Sequence, residues 1–276
     1  MPHVRREEAL VRAARRRQAL SLRLWWAIGM LAVLGGWLVW REHEAVLGSV
    51  VERASATAAH EAATLAERQR DAATLVAQRL ASPPVGRSAV PAGPRTPGAD
   101  ALEYILTDEA SRLAIGGVLE VAGASPAPGV RDVALAAVAA QRAVLDATPG
   151  LEAVYVAFPE ARIVSRVPYV GAEQLRVRTR DARLAPWFTG AFLEDAVHDE
   201  LVDGSPVIAD EPATGVPVLR LDRPVAGIAR GIRARVIVTV PVEAYLEAAA
   251  RTEYPVRAVS GLVAPDGTVV AARAPG

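Results

Sequence analysis

The 276-residue chain contains no cysteine, no lysine and no asparagine. The absence of cysteine excludes disulfide scaffolds, cysteine zinc sites, iron–sulfur clusters and thiol nucleophiles. The absence of asparagine excludes N-glycosylation. Aromatic residues make up 5% of the chain, hydrophobic residues 51% and charged residues 22%. This balance excludes a disordered protein and a polytopic membrane protein, and the length suffices for one or two domains with hydrophobic cores.

Residues 24–40, LWWAIGMLAVLGGWLVW, form a 17-residue run without a charge. As a helix the run is about 25 Å long, close to the hydrocarbon thickness of a bilayer once flanking arginines extend to the headgroups. Trp25 and Trp26 mark one margin, and Trp37 and Trp40 mark the other, as in an aromatic belt. No small-residue cleavage site follows. We therefore predict a single uncleaved transmembrane helix rather than a core helix or a signal peptide.

The charges are distributed unevenly on the two sides of this run. Residues 1–23 carry seven arginines and two glutamates, a net charge of +5, whereas the chain from Arg41 carries 24 arginines and 29 acidic residues, a net charge of −5. Arginine excess marks the cytoplasmic flank of a membrane helix. We predict a basic cytoplasmic tail over residues 1–23 that contacts lipid headgroups and not nucleic acid, an inner-membrane location, and a periplasmic or extracellular C-terminal domain.

Residues 41–82 are alanine-rich and are predicted to form a long extracytoplasmic helix. Its small and apolar residues recur at a spacing near 3.5. This seam is either a homodimer contact or a face packed on its own domain. The seam consists of Val50, Val51, Ala54, Ala58, Leu65, Ala72 and Leu75.

Residues 83–99 contain five prolines and three glycines and are predicted to be a linker.

The remaining chain predicts an α+β fold, in which helices come first and an antiparallel meander follows. A capping-box-like start at Asp100 and Glu103 predicts a helix over residues 100–121. The other predicted helices are 132–147 and 242–250, and the predicted strands are 152–158, 162–167, 205–209, 216–226, 233–240, 259–264 and 268–272.

Five stretches in this order resemble extracytoplasmic Cache sensor domains, of the double-Cache, PAS-like type. They are LEAVYVAFPEARIVSR at 151–166, DARLAPWFTGA at 181–191, IADEPATGVPVLRLDRPV at 208–225, ARVIVTVPVEAYLEAA at 234–249 and GLVAPDGTVVAA at 261–272. The resemblance implies a long membrane-proximal helix and an antiparallel sheet that holds a small ligand. It implies a Cache-like domain over 100–250 and the start of an incomplete second PAS-like module over 251–276.

The resemblance also implies which residues bind the ligand, since the segment around Trp187 is similar to the family's Asp-x-Arg-x-Arg-Pro-Trp-Tyr segment beside the pocket. Trp187 and Phe188 then form a pocket wall, or else fill the core. Arg183 pairs an anionic ligand, or else a nearby aspartate such as Asp210. Arg176, Arg178 and Arg180 attract an acidic ligand or lie in a solvated loop. The implied ligand-binding residues are Arg180, Arg183, Trp187, Phe188, Asp210 and Thr239.

The chain departs from the amino-acid-binding members of the family at the positions that hold the ligand's charges. Ala185 stands where the carboxylate-binding arginine is expected, and Thr239 stands where the amine-binding aspartate is expected. Arg180 and Ile208 each replace an expected tyrosine. A buried zwitterion needs partners for both charges. We therefore expect a small molecule other than a standard amino acid.

No catalytic constellation accompanies these features. The four histidines (3, 43, 60 and 198) are dispersed, and the nucleotide-binding and serine-hydrolase motifs are absent. The carboxylates around His198 at 194–203 have no metal-ligand spacing and are expected to be solvated. We predict no enzyme activity, no metal and no cofactor. Two functions remain open: a membrane-anchored sensor that binds a small molecule, or a membrane-anchored scaffold that binds a partner protein.

Overall fold

A computed structural model describes residues 2–81, 100–107, 114–124, 126–179, 207–228, 232–250, 260–263 and 269–273. The described elements confirm an α+β fold. In chain order they are α1 (Pro2–Ala81), β1 (Ala101–Thr107), β2 (Ala114–Val121), α2 (Val130–Ala147), β3 (Ala153–Phe158), β4 (Ile163–Val167), α3 (Ala172–Thr179), β5 (Val207–Asp210), β6 (Pro217–Ile228), β7 (Ile232–Pro241), α4 (Val242–Ala250), β8 (Ser260–Val263) and β9 (Val269–Arg273).

The chain divides into two compact units. One unit is the N-terminal part of α1, up to Thr57, and the other contains the sheet and the helices from Ala58 onward. In the part of the chain that the structure describes, no helix is both long enough and apolar enough to cross a membrane. The predicted linker at 83–99 lies outside the described residues.

The second unit is built on a seven-stranded antiparallel sheet with the strand order β1-β2-β4-β3-β7-β6-β5. β3 and β4 form a hairpin closed by a 3₁₀ turn at Pro159–Ala161, as the sequence predicts. β6 and β7 form a longer hairpin, and β3 pairs with β7 at the centre of the sheet. β8 and β9 pair separately as a two-stranded sheet.

The predicted helix over residues 100–121 is wrong, because this segment forms β1 and β2. β1 pairs with β2, and β2 pairs with β4 from Gly117 to Glu120. Glu103 therefore does not close a capping box and instead accepts a hydrogen bond from the backbone N–H of Ala172 at 2.9 Å. Tertiary pairing here overrides the helix propensity of a segment rich in alanine and leucine.

The two faces of the sheet have different coverings. One face packs against α1 and α2 through alternate residues such as Val154, Val156 and Val238. The opposite face carries α3 and the turn at 211–216, through Leu175 and Ala213. Successive side chains of a strand point to opposite faces, so this second face carries the remaining side chains of each strand.

The C-terminal part of α1 packs on the sheet of its own chain. Of the two interpretations of the seam, the face packed on its own domain therefore holds for this part of the helix. Leu65, Ala72 and Val76 are buried, whereas Leu75 is exposed, contrary to the predicted seam. Gln69 lies in the middle of this buried stripe. Its side-chain amide Nε2 donates hydrogen bonds of 2.8 Å to the backbone carbonyls of Leu219 on β6 and Val238 on β7.

Candidate functional site

The sheet face opposite α1 and α2 is unusually polar for a buried surface, and we call it the polar face. Cross-strand register aligns Arg166, Tyr155, Ile237 and Asp222 in one row across β4, β3, β7 and β6. The adjacent rows add further polar groups on β6 and β7. The polar residues of this face in these rows are Tyr155, Arg166, Arg220, Asp222, Arg235 and Thr239.

Tyr155, Arg166 and Glu211 form a buried charged triad on this face. Glu211 belongs to the turn after β5 and is fully buried. Arg166 donates from Nε to the Tyr155 hydroxyl at 2.9 Å and from Nη2 to Glu211 Oε1 at 3.2 Å. The Tyr155 hydroxyl donates to Glu211, and Arg166 Nη1 donates to the carbonyl of Pro168. The triad thus joins β3, β4 and the turn at 211–216.

The carboxylate of Glu211 also shapes its own turn. Its Oε2 accepts the backbone N–H of Ala213 at 2.7 Å and the N–H of Thr214. Burial raises the pKa of Glu211, but the charge of Arg166 and the hydrogen bonds from Tyr155 and Thr214 outweigh burial, so the pKa lies below its ordinary value. Glu211 is therefore ionised in the folded protein at neutral pH. The pKa of Tyr155 is raised, first by burial and also by Glu211, although Arg166 acts in the opposite direction.

Arg220, Asp222 and Arg235 form a second group, the Arg–Asp–Arg cluster. Arg220 Nε and Nη2 hold the two oxygens of Asp222 at 2.7 Å each, a bidentate ion pair. Arg235 Nη2 lies 3.5 Å from Asp222 Oδ2, and Arg235 Nη1 is buried without a hydrogen-bond partner. Two guanidinium groups thus contact one carboxylate in this cluster.

The structure describes two of the residues predicted to bind ligand, Asp210 and Thr239, and of these two Thr239 lies on the polar face. Thr239 is buried on β7 beside Arg220, and its hydroxyl donates to the Ala153 carbonyl at 3.2 Å. Asp210 is exposed at the end of edge strand β5, and the buried carboxylate is that of its neighbour Glu211. Arg180, Arg183, Trp187 and Phe188 lie outside the described residues.

Arg176 does not lie in a fully solvated loop. Its guanidinium pairs with Asp100 at 2.7 Å and with Glu173 at 3.0 Å. The side chain of Arg178 and the acidic stretch at 194–203 lie outside the described residues. Among the residues that are described, no three histidine or acidic side chains are grouped closely enough to hold a metal ion.

Tyr169 lies at the edge of the polar face and has an unusual packing partner. A Cβ placed at Gly117 of β2 would lie 2.1 Å from two atoms of the Tyr169 ring, so only glycine permits this contact. The Tyr169 hydroxyl is buried without a hydrogen-bond partner. Tyr169 and Arg235 therefore each keep a polar atom away from water with no acceptor, which is rare in folded proteins.

Sequence reasoning missed the triad and the Arg–Asp–Arg cluster, although one signal for the cluster was present. Arg220 and Asp222 stand two residues apart in a strand, as do Arg233 and Arg235. A spacing of two places charged side chains on one sheet face. No comparable signal marks Glu211, because its partners Tyr155 and Arg166 are 56 and 45 residues away in the chain.

Comparisons with known proteins add no family to this description. No protein-family model, no curated protein and no solved structure matches the chain.

Proposed function

We propose that the chain is a membrane-anchored sensor whose polar face binds a small molecule and whose α1 helix carries the resulting change toward the membrane. The observation that supports this function best is the concentration of buried charged groups on one sheet face. Burying charge is costly unless each group is paired, and the Arg–Asp–Arg cluster leaves a donor unpaired. A small polar ligand supplies the missing acceptor.

A physical link between the polar face and α1 supports the signalling part of the proposal. Gln69 of α1 binds the carbonyls of Leu219 and Val238, and the residues that follow them are Arg220 and Thr239 of the polar face. One side chain of α1 therefore bridges the two strands that carry the Arg–Asp–Arg cluster. A ligand that shifts β6 relative to β7 changes both hydrogen bonds of Gln69, provided that it binds one arrangement more tightly than the other.

The surface of α1 between residues 25 and 40 supports the membrane anchor. Large apolar side chains point outward on every side of the helix, with Trp25 72% and Val33 74% exposed. A helical stretch that is apolar on every side is stabilised by an apolar environment. Trp37 lies under the guanidinium of Arg41 at 5.4 Å from the ring centroid, which places a cation beside the aromatic margin.

Ligand binding is tested by thermal unfolding of the purified 276-residue chain in mild detergent, against a panel of organic acids, amines, amino acids and nucleobases. A compound at 100 times its Kd adds about 2.7 kcal/mol of stability. For a protein of this size the melting temperature then rises by roughly 5–10 °C. A selective rise supports the sensor. A folded chain that no compound stabilises contradicts it and favours the scaffold that binds a partner protein.

The membrane anchor is tested separately, and the absence of native cysteine makes the test clean. Single cysteines replace Ser21 and Ser55, which flank the apolar run. In intact spheroplasts a membrane-impermeant maleimide labels Ser55→Cys and leaves Ser21→Cys unlabelled until the membrane is permeabilised. Equal labelling of both variants, or release of the chain by alkaline carbonate, contradicts the anchor without affecting the ligand-binding test.

A further inference from the structure

Arg235 of β7 carries a hydrogen-bond donor that the fold leaves unused. Its side chain is 15% exposed, and Nη1 is buried with no hydrogen-bond partner. Its cross-strand neighbours are Ala157 on β3 and Pro224 on β6, and neither has a side chain that accepts a hydrogen bond.

Asp222 pairs closely with Arg220 and only loosely with Arg235, since Arg220 holds both carboxylate oxygens at 2.7 Å. The distance of 3.5 Å from Arg235 Nη2 to Asp222 Oδ2 is an ion-pair distance and is long for a hydrogen bond. The guanidinium of Arg235 therefore lacks a full counter-charge among the residues that the structure describes. A buried donor without a partner is rare in folded proteins, and a bound ion or water molecule is one way in which it is satisfied.

We infer that Arg235 anchors the carboxylate of a small monocarboxylic acid on the polar face, an inference that rests on the proposed ligand-binding function and specifies its ligand class. A guanidinium presents two parallel N–H groups to a carboxylate, which neutralises one positive charge. A dianion such as phosphate adds a second negative charge beside Asp222, which repels it. A neutral compound supplies an acceptor but leaves the charge of Arg235 uncompensated.

The chain offers a matched control for this inference. Arg233 lies on the same strand, two residues before Arg235, and is exposed. Replacing either arginine by glutamine removes one positive charge from β7. A general effect of charge on the protein surface therefore appears in both variants, whereas a specific carboxylate site is lost only with Arg235.

The experiment measures binding of acetate, pyruvate and benzoate to the full chain by calorimetry and thermal unfolding, with sodium chloride and inorganic phosphate at matched ionic strength. At least one carboxylate is expected to bind the wild type and Arg233→Gln with similar Kd. Arg235→Gln is expected to raise that Kd by roughly ten- to a hundredfold. Phosphate and chloride are expected to produce no shift.

Arg235→Lys carries the test if Arg235→Gln does not fold, because lysine keeps the charge and loses the planar fork. It is expected to raise the Kd by about tenfold. Unchanged carboxylate binding by the Arg235 variants overturns the inference. Binding of only neutral or cationic compounds by the wild type also overturns it and leaves the sensor proposal intact. Binding of nothing in either panel overturns both.

Discussion

Replacing Glu211 by glutamine is expected to destabilise the fold severely, because the change leaves Arg166 charged and buried. The side chains are 0% and 9% exposed, respectively, so water does not replace the lost carboxylate. Breaking a buried ion pair by removing one partner costs about 3–5 kcal/mol. Glutamine keeps an oxygen for the N–H groups of Ala213 and Thr214, so the loss reports the contacts with Arg166 and Tyr155 rather than the turn.

A double-mutant cycle with Arg166→Met isolates the interaction. The double variant is expected to lose at least about 2 kcal/mol less unfolding free energy than the sum of the two single variants, because it leaves no buried charge without its partner. The free energy of unfolding comes from urea titrations followed by circular dichroism. Asp146→Asn is the control, because its pair with Arg142 is exposed and contributes at most about 0.5 kcal/mol. A Glu211→Gln cost below about 1 kcal/mol refutes the buried pair.

The same pair predicts how stability depends on acid. The pKa of Glu211 is lower in the folded state than its ordinary value of 4.5. Its contribution is therefore fully present above pH 4.5 and is lost as the pH falls through the folded pKa. Wild-type stability is expected to fall more steeply than that of Glu211→Gln when urea titrations are repeated from pH 6 to pH 3. Parallel curves for the two proteins contradict an ionised, paired Glu211.

Three further changes test other parts of the fold. Gly117→Ala is expected to destabilise the protein by about 1–3 kcal/mol, because the new methyl group meets the Tyr169 ring at 2.1 Å; an unchanged melting temperature refutes this contact. Gln69→Leu is expected to cost about 2–3 kcal/mol, because it removes two hydrogen bonds to backbone carbonyls and the one that the Tyr245 hydroxyl donates to Gln69. The exposed Gln78→Leu on the same helix is expected to cost less than about 0.5 kcal/mol in the same urea assay. Burial raises the pKa of Tyr245 to about 12, so the contribution of its neutral hydroxyl to stability is present below pH 10 and is lost between pH 10 and about 12. The difference between the spectrophotometric titrations of the wild type and Tyr245→Phe gives the ionisation of this tyrosine, and an ionisation that is complete near pH 10 contradicts the raised pKa.

The strongly periodic elements of this fold were predictable from the sequence. RARVIVTV of β7 and the hairpin of β3 and β4 follow a strand pattern bounded by turn residues, and α2 lies within two residues of its predicted start. These segments have local patterns that agree with their tertiary environment. Thr239 was assigned to the site through the family resemblance; the structure places it on the polar face, and its contact with a ligand stays a prediction.

The first two strands were not predictable in the same way, because their determinants are distant in the chain. Glu103 looks like a helix-capping residue and in fact accepts the N–H of Ala172, while Glu120 is buried and bound bidentately by Arg131 of α2. The pair Gly116–Gly117 was the local sign against a helix. It acquires meaning only with the position of Tyr169, which no sequence pattern supplies.

Hydrogen–deuterium exchange of the full chain tests most directly whether ligand binding on the polar face reaches α1. The measurement compares the chain alone with the chain saturated by the compound that gives the largest thermal shift. We expect altered exchange in β6, β7 and the segment of α1 from Leu65 to Leu80, and we expect Gln69→Leu to abolish the effect in α1 while ligand binding persists. Altered exchange confined to elements that do not contact the polar face, or an unchanged α1 in the wild type, contradicts the proposed sensor.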